Sequence, residues 1–254
     1  MQKFNSAGVE IAFSDEGVGE PILLIHGFAS NGRVNWVATG WTKTLLEAGY
    51  RVISLDNRGH GESEKLYRPE QYSAPMMADD AARLLEHLGI TAVRVMGYSM
   101  GARIAAFLTL QWPGLVLQVV FAGLAERMVV GVPGAEAIAA GLEAASSKDV
   151  GDAGARSFRI FAEQTKSDLK ALAACMRSSR VKIKPEVLSA IKVPVLVVAG
   201  ELDDIAGAVG PLVNLMPTAQ GLVLPKRNHM NAVGDVGFKK AVLAFFSDVS
   251  KQTS

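Results

Sequence analysis

Ser99, Asp203 and His229 have the side chains to make a serine attack a carbonyl. Ser99 lies in Gly97-Tyr98-Ser99-Met100-Gly101, between a strand-like run at 92–96 and a helix-like run at 102–111. A sharp strand-to-helix turn would expose its hydroxyl. Glycines two residues to either side would let strand and helix approach without a Cβ clash. The helix N-terminus would offer free N–H groups and a positive dipole end to a developing oxyanion. Serine is a poor nucleophile at neutral pH, so a base must take its proton and later give it to the leaving group. His229 closes Pro225-Lys226-Arg227-Asn228-His229, after an apolar run at 221–224. A carboxylate must then fix the imidazole tautomer and stabilise the imidazolium. Asp203 and Asp204 follow the apolar run at 194–199, and Glu126 follows the run at 116–121.

Residues 21–25, 51–55, 92–96, 116–121, 194–199 and 221–224 read as strands, several of them apolar throughout, as strands buried on both faces are. Residues 36–48, 75–88, 100–111 and 238–249 read as helices. The alternation predicts a mostly parallel α/β sheet with helices on both faces. Residues 2–14 contain Ala7-Gly8 and predict an antiparallel hairpin at one edge. From 125 to 192 no strand pattern appears. Helical patterns near 133–146, 155–165, 168–177 and 185–191 predict a helical insertion over the carboxyl edge of the sheet, where open α/β sheets bind ligands. The expected division is a core of 1–124 and 193–254 with a cap of 125–192. Ordinary crossover helices are the alternative.

The chain has 254 residues, 49% of them hydrophobic, and a formal net charge of +1. That supports one large domain or a core with an insertion. The near-neutral charge gives no footprint for nucleic acid. No apolar run reaches the ~18–20 residues of a membrane span, and residues 1–10 lack an apolar secretory core. The expectation is a soluble, cytoplasmic protein. The single cysteine, Cys175, excludes an intramolecular disulfide and reads as a buried structural thiol. Four scattered histidines form no ligand cluster, so neither metal nor cofactor is expected.

Five segments together resemble the α/β-hydrolase-fold family: Ile25-His26-Gly27-Phe28, the run from Asp56 to Ser63, Gly97-Tyr98-Ser99-Met100-Gly101, Gly200-Glu201-Leu202-Asp203, and His229. They occur in the family's order and cover nearly the whole chain. The resemblance implies Ser99 as nucleophile, Asp203 as acid, His229 as base, and the backbone N–H groups of Phe28 and Met100 as oxyanion donors. Where many relatives carry glycine before the base, this chain has Asn228. The implied activity is cofactor-free hydrolysis of a small to medium, largely apolar carboxylic ester. Lactonase, thioesterase, C–C-bond hydrolase and cofactor-free haloperoxidase chemistry use the same triad. A small-molecule receptor with a vestigial triad belongs to a different class.

Other residues read as follows. His26 is a structural hydrogen-bonding residue. Asp56 and Arg58 brace neighbouring loops rather than bind metal or phosphate. His87 is solvated, and the Met76-Met77 pair fills core. Trp36 and Trp41 either line the acyl pocket or pack.

Overall fold

The computed structural model describes residues 1–248. Eight strands form one sheet: β1 (Gln2–Ser6), β2 (Val9–Glu16), β3 (Pro21–Ile25), β4 (Arg51–Leu55), β5 (Val93–Tyr98), β6 (Val116–Ala122), β7 (Val195–Gly200) and β8 (Ala219–Leu224). Their order is β1-β2-β4-β3-β5-β6-β7-β8. β1 and β2 form the expected antiparallel hairpin, β2 pairs antiparallel with β4, and the remaining pairs are parallel.

β3 and β7 are apolar throughout because both faces are covered. In β3, Ile22 and Leu24 join a cluster with Trp41 and Leu45 of α1 (Trp41–Glu47) and Phe238 and Val242 of the C-terminal helix. Leu23 and Ile25 point the other way, into a cluster with Leu84 of α2 (Ala74–His87) and Ile104 of α3 (Met100–Gln111). Alternate residues of one strand thus face two helical layers.

Between β6 and β7 lie α4 (Arg127–Val130), α5 (Ala135–Glu143), α6 (Ala153–Gln164), α7 (Leu169–Ser178) and α8 (Pro185–Leu188), with no strand among them. Asp152 and Asp168 cap α6 and α7 by accepting from the Ala155 and Ala171 N–H groups. Ile138, Leu142 and Leu172 of this segment belong to the same apolar cluster as Leu23. α9 (Val209–Val213) links β7 to β8, and α10 (Val236–Asp248) closes the described chain.

Three expectations are corrected. The helix read over 36–48 is broken: a π-turn spans Arg33–Val37, and α1 starts at Trp41 after Gly40 at φ +78°. A left-handed residue cannot continue a right-handed helix, and glycine takes that conformation without a Cβ penalty. β8 begins at Ala219, two residues early, because Ala219 and Gln220 pair with Val195 and Leu196 of β7. α9 has no counterpart in the sequence reading, since five residues carrying Gly210 and Pro211 show no helical period. Val249, the last residue of the predicted C-terminal helix, lies outside the described residues.

Candidate active site

Ser99 sits between β5 and α3 with φ +56° and ψ −113°. This is a sparsely populated conformation for an L-residue, held by the strand before it and the helix after it. Its N–H donates to the Ala122 carbonyl of β6 at 2.7 Å. The flanking glycines follow from distance. A Cβ on Gly97 would stand 2.1 Å from the Gly101 carbonyl oxygen, and one on Gly101 would stand 1.9 Å from that of Ile25. The turn is that tight because β3, β5 and α3 meet there.

His229 and Asp203 arrive from the ends of β8 and β7. His229 Nε2 lies 3.1 Å from Ser99 Oγ, and its Nδ1 lies 2.9 Å from Asp203 Oδ2 and 3.0 Å from Oδ1. With Nδ1–H donating to the carboxylate, Nε2 faces the serine as an acceptor. Asp203 is buried, and its Oδ1 also accepts from the Ile205 and Ala206 N–H groups. Asp204 is exposed and makes no hydrogen bond to His229; neither does Glu126. Geometry therefore selects Asp203 from the three candidate carboxylates.

Residues beyond the predicted set hold this arrangement. Asn228 Oδ1 accepts from the Met230 and Asn231 N–H groups, and Asn231 Oδ1 accepts from the Asn228 N–H. That reciprocal clamp shapes the turn that presents the imidazole, and accounts for a side chain where glycine was the family expectation. The Tyr98 hydroxyl donates to the His229 carbonyl at 2.5 Å. Asn35 Oδ1 accepts from the Gly27 N–H at 3.2 Å. The neighbouring Phe28 N–H has no acceptor among the described residues, and the Met100 N–H is the first of α3. Both are free to bind an oxyanion. The sequence signal for these partners is slight: a buried tyrosine or asparagine needs some partner.

His26 is fully buried. Its Nδ1–H donates to the Gly27 carbonyl at 2.7 Å and its Nε2 accepts from the Asn57 N–H at 2.9 Å. Burial pushes its pKa down to about 4, so it is a neutral brace and not a second base. Asp56 accepts from Gly32 and Glu62 N–H groups, and Arg58 pairs with Asp80, so both tie loops together as expected. Cys175 is buried and pushed up to about 12, a structural thiol. His87 is exposed, with one face stacked on Phe4. Met77 is buried, but Met76 is not.

A groove of about 490 Å³ opens above the serine. Ser99 and His229 form its floor, Val34 and Thr39 one wall, and Phe158 and Phe161 of α6 the other. Trp36 and Trp41 do not line it. Both are fully buried beneath the wall, with Trp41 edge-on to Phe238 and its Nε1–H on the Val233 carbonyl. They pack in the core and do not reach the groove, so of the two readings packing is the one the structure has. The broken helix explains this: Val34 and Thr39 face the groove while the indoles turn inward.

Known proteins agree with this architecture. Residues 20–178 match the model of the alpha/beta hydrolase fold. The chain is 38% identical over 120 residues to a putative non-heme bromoperoxidase, BpoC, of Mycobacterium tuberculosis; the match covers 47% of this chain and 44% of that one, under half its length. It is 28% identical over 250 residues to a putative 2-succinyl-6-hydroxy-2,4-cyclohexadiene-1-carboxylate synthase of Bacillus subtilis, covering 88% and 89%. The solved bromoperoxidase of Bacillus anthracis superposes with a TM-score of 0.78 at 25% identity over 97% of this chain and 98% of that one. The family match covers well over half the chain and includes the serine turn, so this protein belongs to the alpha/beta hydrolase fold family.

Proposed function

We propose that this protein is a serine hydrolase that cleaves small to medium carboxylic esters through an acyl-enzyme. The observation that carries the reading is the continuous chain from Ser99 Oγ through His229 to Asp203, at 3.1 and 2.9 Å, beside two free N–H donors. Ser99 attacks the ester carbonyl as His229 Nε2 takes its proton. The Phe28 and Met100 N–H groups hold the oxyanion. His229 protonates the leaving alcohol, then activates water to release the acid. Asp203 keeps the imidazole in the right tautomer throughout. No step requires a metal or cofactor.

The apolar groove supports an ester with at least one apolar half, and α6 along one wall supports reading 125–192 as a cap that shapes the groove. The relatives' names do not share one reaction, so the choice of bond rests on the site. Two of them name a bromoperoxidase, which favours one second reading: hydrogen peroxide in place of water would take the acyl group and leave as a peracid. The test is kcat/KM on p-nitrophenyl esters of increasing acyl length, with lactones, a thioester and peroxide-dependent bromide oxidation alongside. Many turnovers on esters, abolished in Ser99→Ala, are expected. A single turnover, or activity retained without Ser99, overturns the reading.

A further inference from the structure

A second recess, of about 30 Å³, also borders Ser99. It shares Phe28, Ser99, Phe158 and Ile205 with the groove, and it adds Arg103 and Arg180. His229 lines the groove but not the recess. The leaving group must stand where His229 can protonate it, so the groove takes the alcohol half. The recess then faces the acyl half.

Arg103 is unusual in this molecule. Arg58, Arg94, Arg103 and Arg159 are the buried arginines among the described residues. Arg58 pairs with Asp80, Arg94 with Glu20 and Arg159 with Glu163, each at 2.7 Å. Arg103, only 2% exposed, has no carboxylate partner. Its guanidinium donates to the carbonyls of Met128, Val181 and Arg127, which leaves two of five N–H groups unused. Arg180 is half-buried and likewise lacks a carboxylate. It donates to the Pro133 carbonyl at 2.9 Å and the Val132 carbonyl at 3.4 Å, and lies 5.9 Å over the Phe158 ring. Burial pushes each down to about 10, with the nearby charge of Arg180 adding to the effect on Arg103, so both remain cations at neutral pH. Two desolvated positive charges without a counter-ion are costly unless an anion completes them.

We propose, on the reading that Ser99 is acylated, that Arg103 and Arg180 form an anion subsite and that the substrate's acyl half ends in a carboxylate. The substrate class is the monoester of a short dicarboxylic acid. The guanidinium fork matches a carboxylate in geometry as well as charge. The recess admits one small polar head, so the chain between the reacting carbonyl and the carboxylate is short.

The test compares monoethyl succinate, glutarate and adipate with their diethyl counterparts, by ethanol release. At least one monoester should exceed its diester tenfold or more in kcat/KM, mainly through KM. Arg180→Met should bring that ratio to about one, and Arg180→Lys should keep part of it. Arg180 is the primary variant because Arg103→Met also strips three carbonyls of their donor and threatens folding. In parallel, glutarate should raise the Tm of Ser99→Ala saturably, and the uncharged glutaramide should not. The shift should vanish in Ser99→Ala/Arg180→Met. Diesters cleaved as well as monoesters, or a monoester preference unchanged in Arg180→Met, would overturn the subsite while leaving the hydrolase intact. If no ester of either kind turns over, the hydrolase reading fails, and the glutarate shift still decides the subsite.

Discussion

Removing Ser99 Oγ leaves His229 with nothing to deprotonate. Triad members fail as a unit, so Ser99→Ala should lose on the order of 10³-fold or more in kcat while remaining folded. A mutant with a tenth of wild-type activity would remove Ser99 from the nucleophile's role. Asp203→Asn should be nearly as severe, because an amide can hold the imidazole in the wrong tautomer, an error worth roughly 10⁴-fold in the best-studied triad. Asp204→Asn should change little, since Asp204 is exposed and does not touch the histidine. Assaying the purified pair side by side decides it, and equal losses would reassign the acid. At this scale Ser99 and His229 are legible from the runs that precede them, whereas the run at 194–199 leaves Asp203 and Asp204 open and only the family resemblance implies Asp203. The sequence is not legible for Asn35 or for the Tyr98 hydroxyl, whose bond to the His229 carbonyl spans 131 positions. Nothing local marks such a partner.

The serine turn depends on how closely three elements pack. Gly101 lies in the first turn of α3, and a Cβ there would overlap the Ile25 and His26 carbonyls of the β3 edge at 1.9 and 2.7 Å. Those atoms are backbone, so only a shift of helix from sheet relieves the clash. Gly101→Ala should therefore cost about 1–3 kcal/mol or more, as overpacking in a rigid core does. It should also lower kcat, because the Met100 N–H and Ser99 move with the helix. Urea unfolding and steady-state kinetics on the same preparation check both. Unchanged stability would show that α3 can slide freely. Among elements, β3 and β7 are readable because burial on both faces makes them continuously apolar. The run 36–48 reads as one helix because Val37, Trp41 and Leu45 fall four apart, a helical apolar spacing that crosses Gly40. A left-handed residue is invisible to hydrophobic spacing. A single helix left the indoles free to face either substrate or core; both are buried, Trp41 edge-on to Phe238.

Two histidines make the whole fold sensitive to mild acid. His26 and His60 are fully buried, on neighbouring loops with their rings 5.3 Å apart. Burial lowers His26 to about 4; burial and then the neighbouring His26 lower His60 to about 3. In the unfolded chain both titrate near ~6.5. The unfolded state therefore binds more protons between those values, and stability must rise with pH there. The full contribution is present above ~6.5. It is lost as pH falls, down to about 4 for His26 and about 3 for His60. Each histidine contributes up to about 1.4 kcal/mol per pH unit inside its window, so several kcal/mol should disappear between pH 7 and pH 5. The urea midpoint should fall steeply over that range, before ordinary carboxylates begin to protonate. His60→Gln should lower the slope by about one proton, whatever it does to stability at neutral pH. A midpoint that stays flat from pH 7 to pH 5 would mean that protons reach these rings in the folded protein. The loops carrying Phe28 and Asn57 would then be looser than their hydrogen bonds imply.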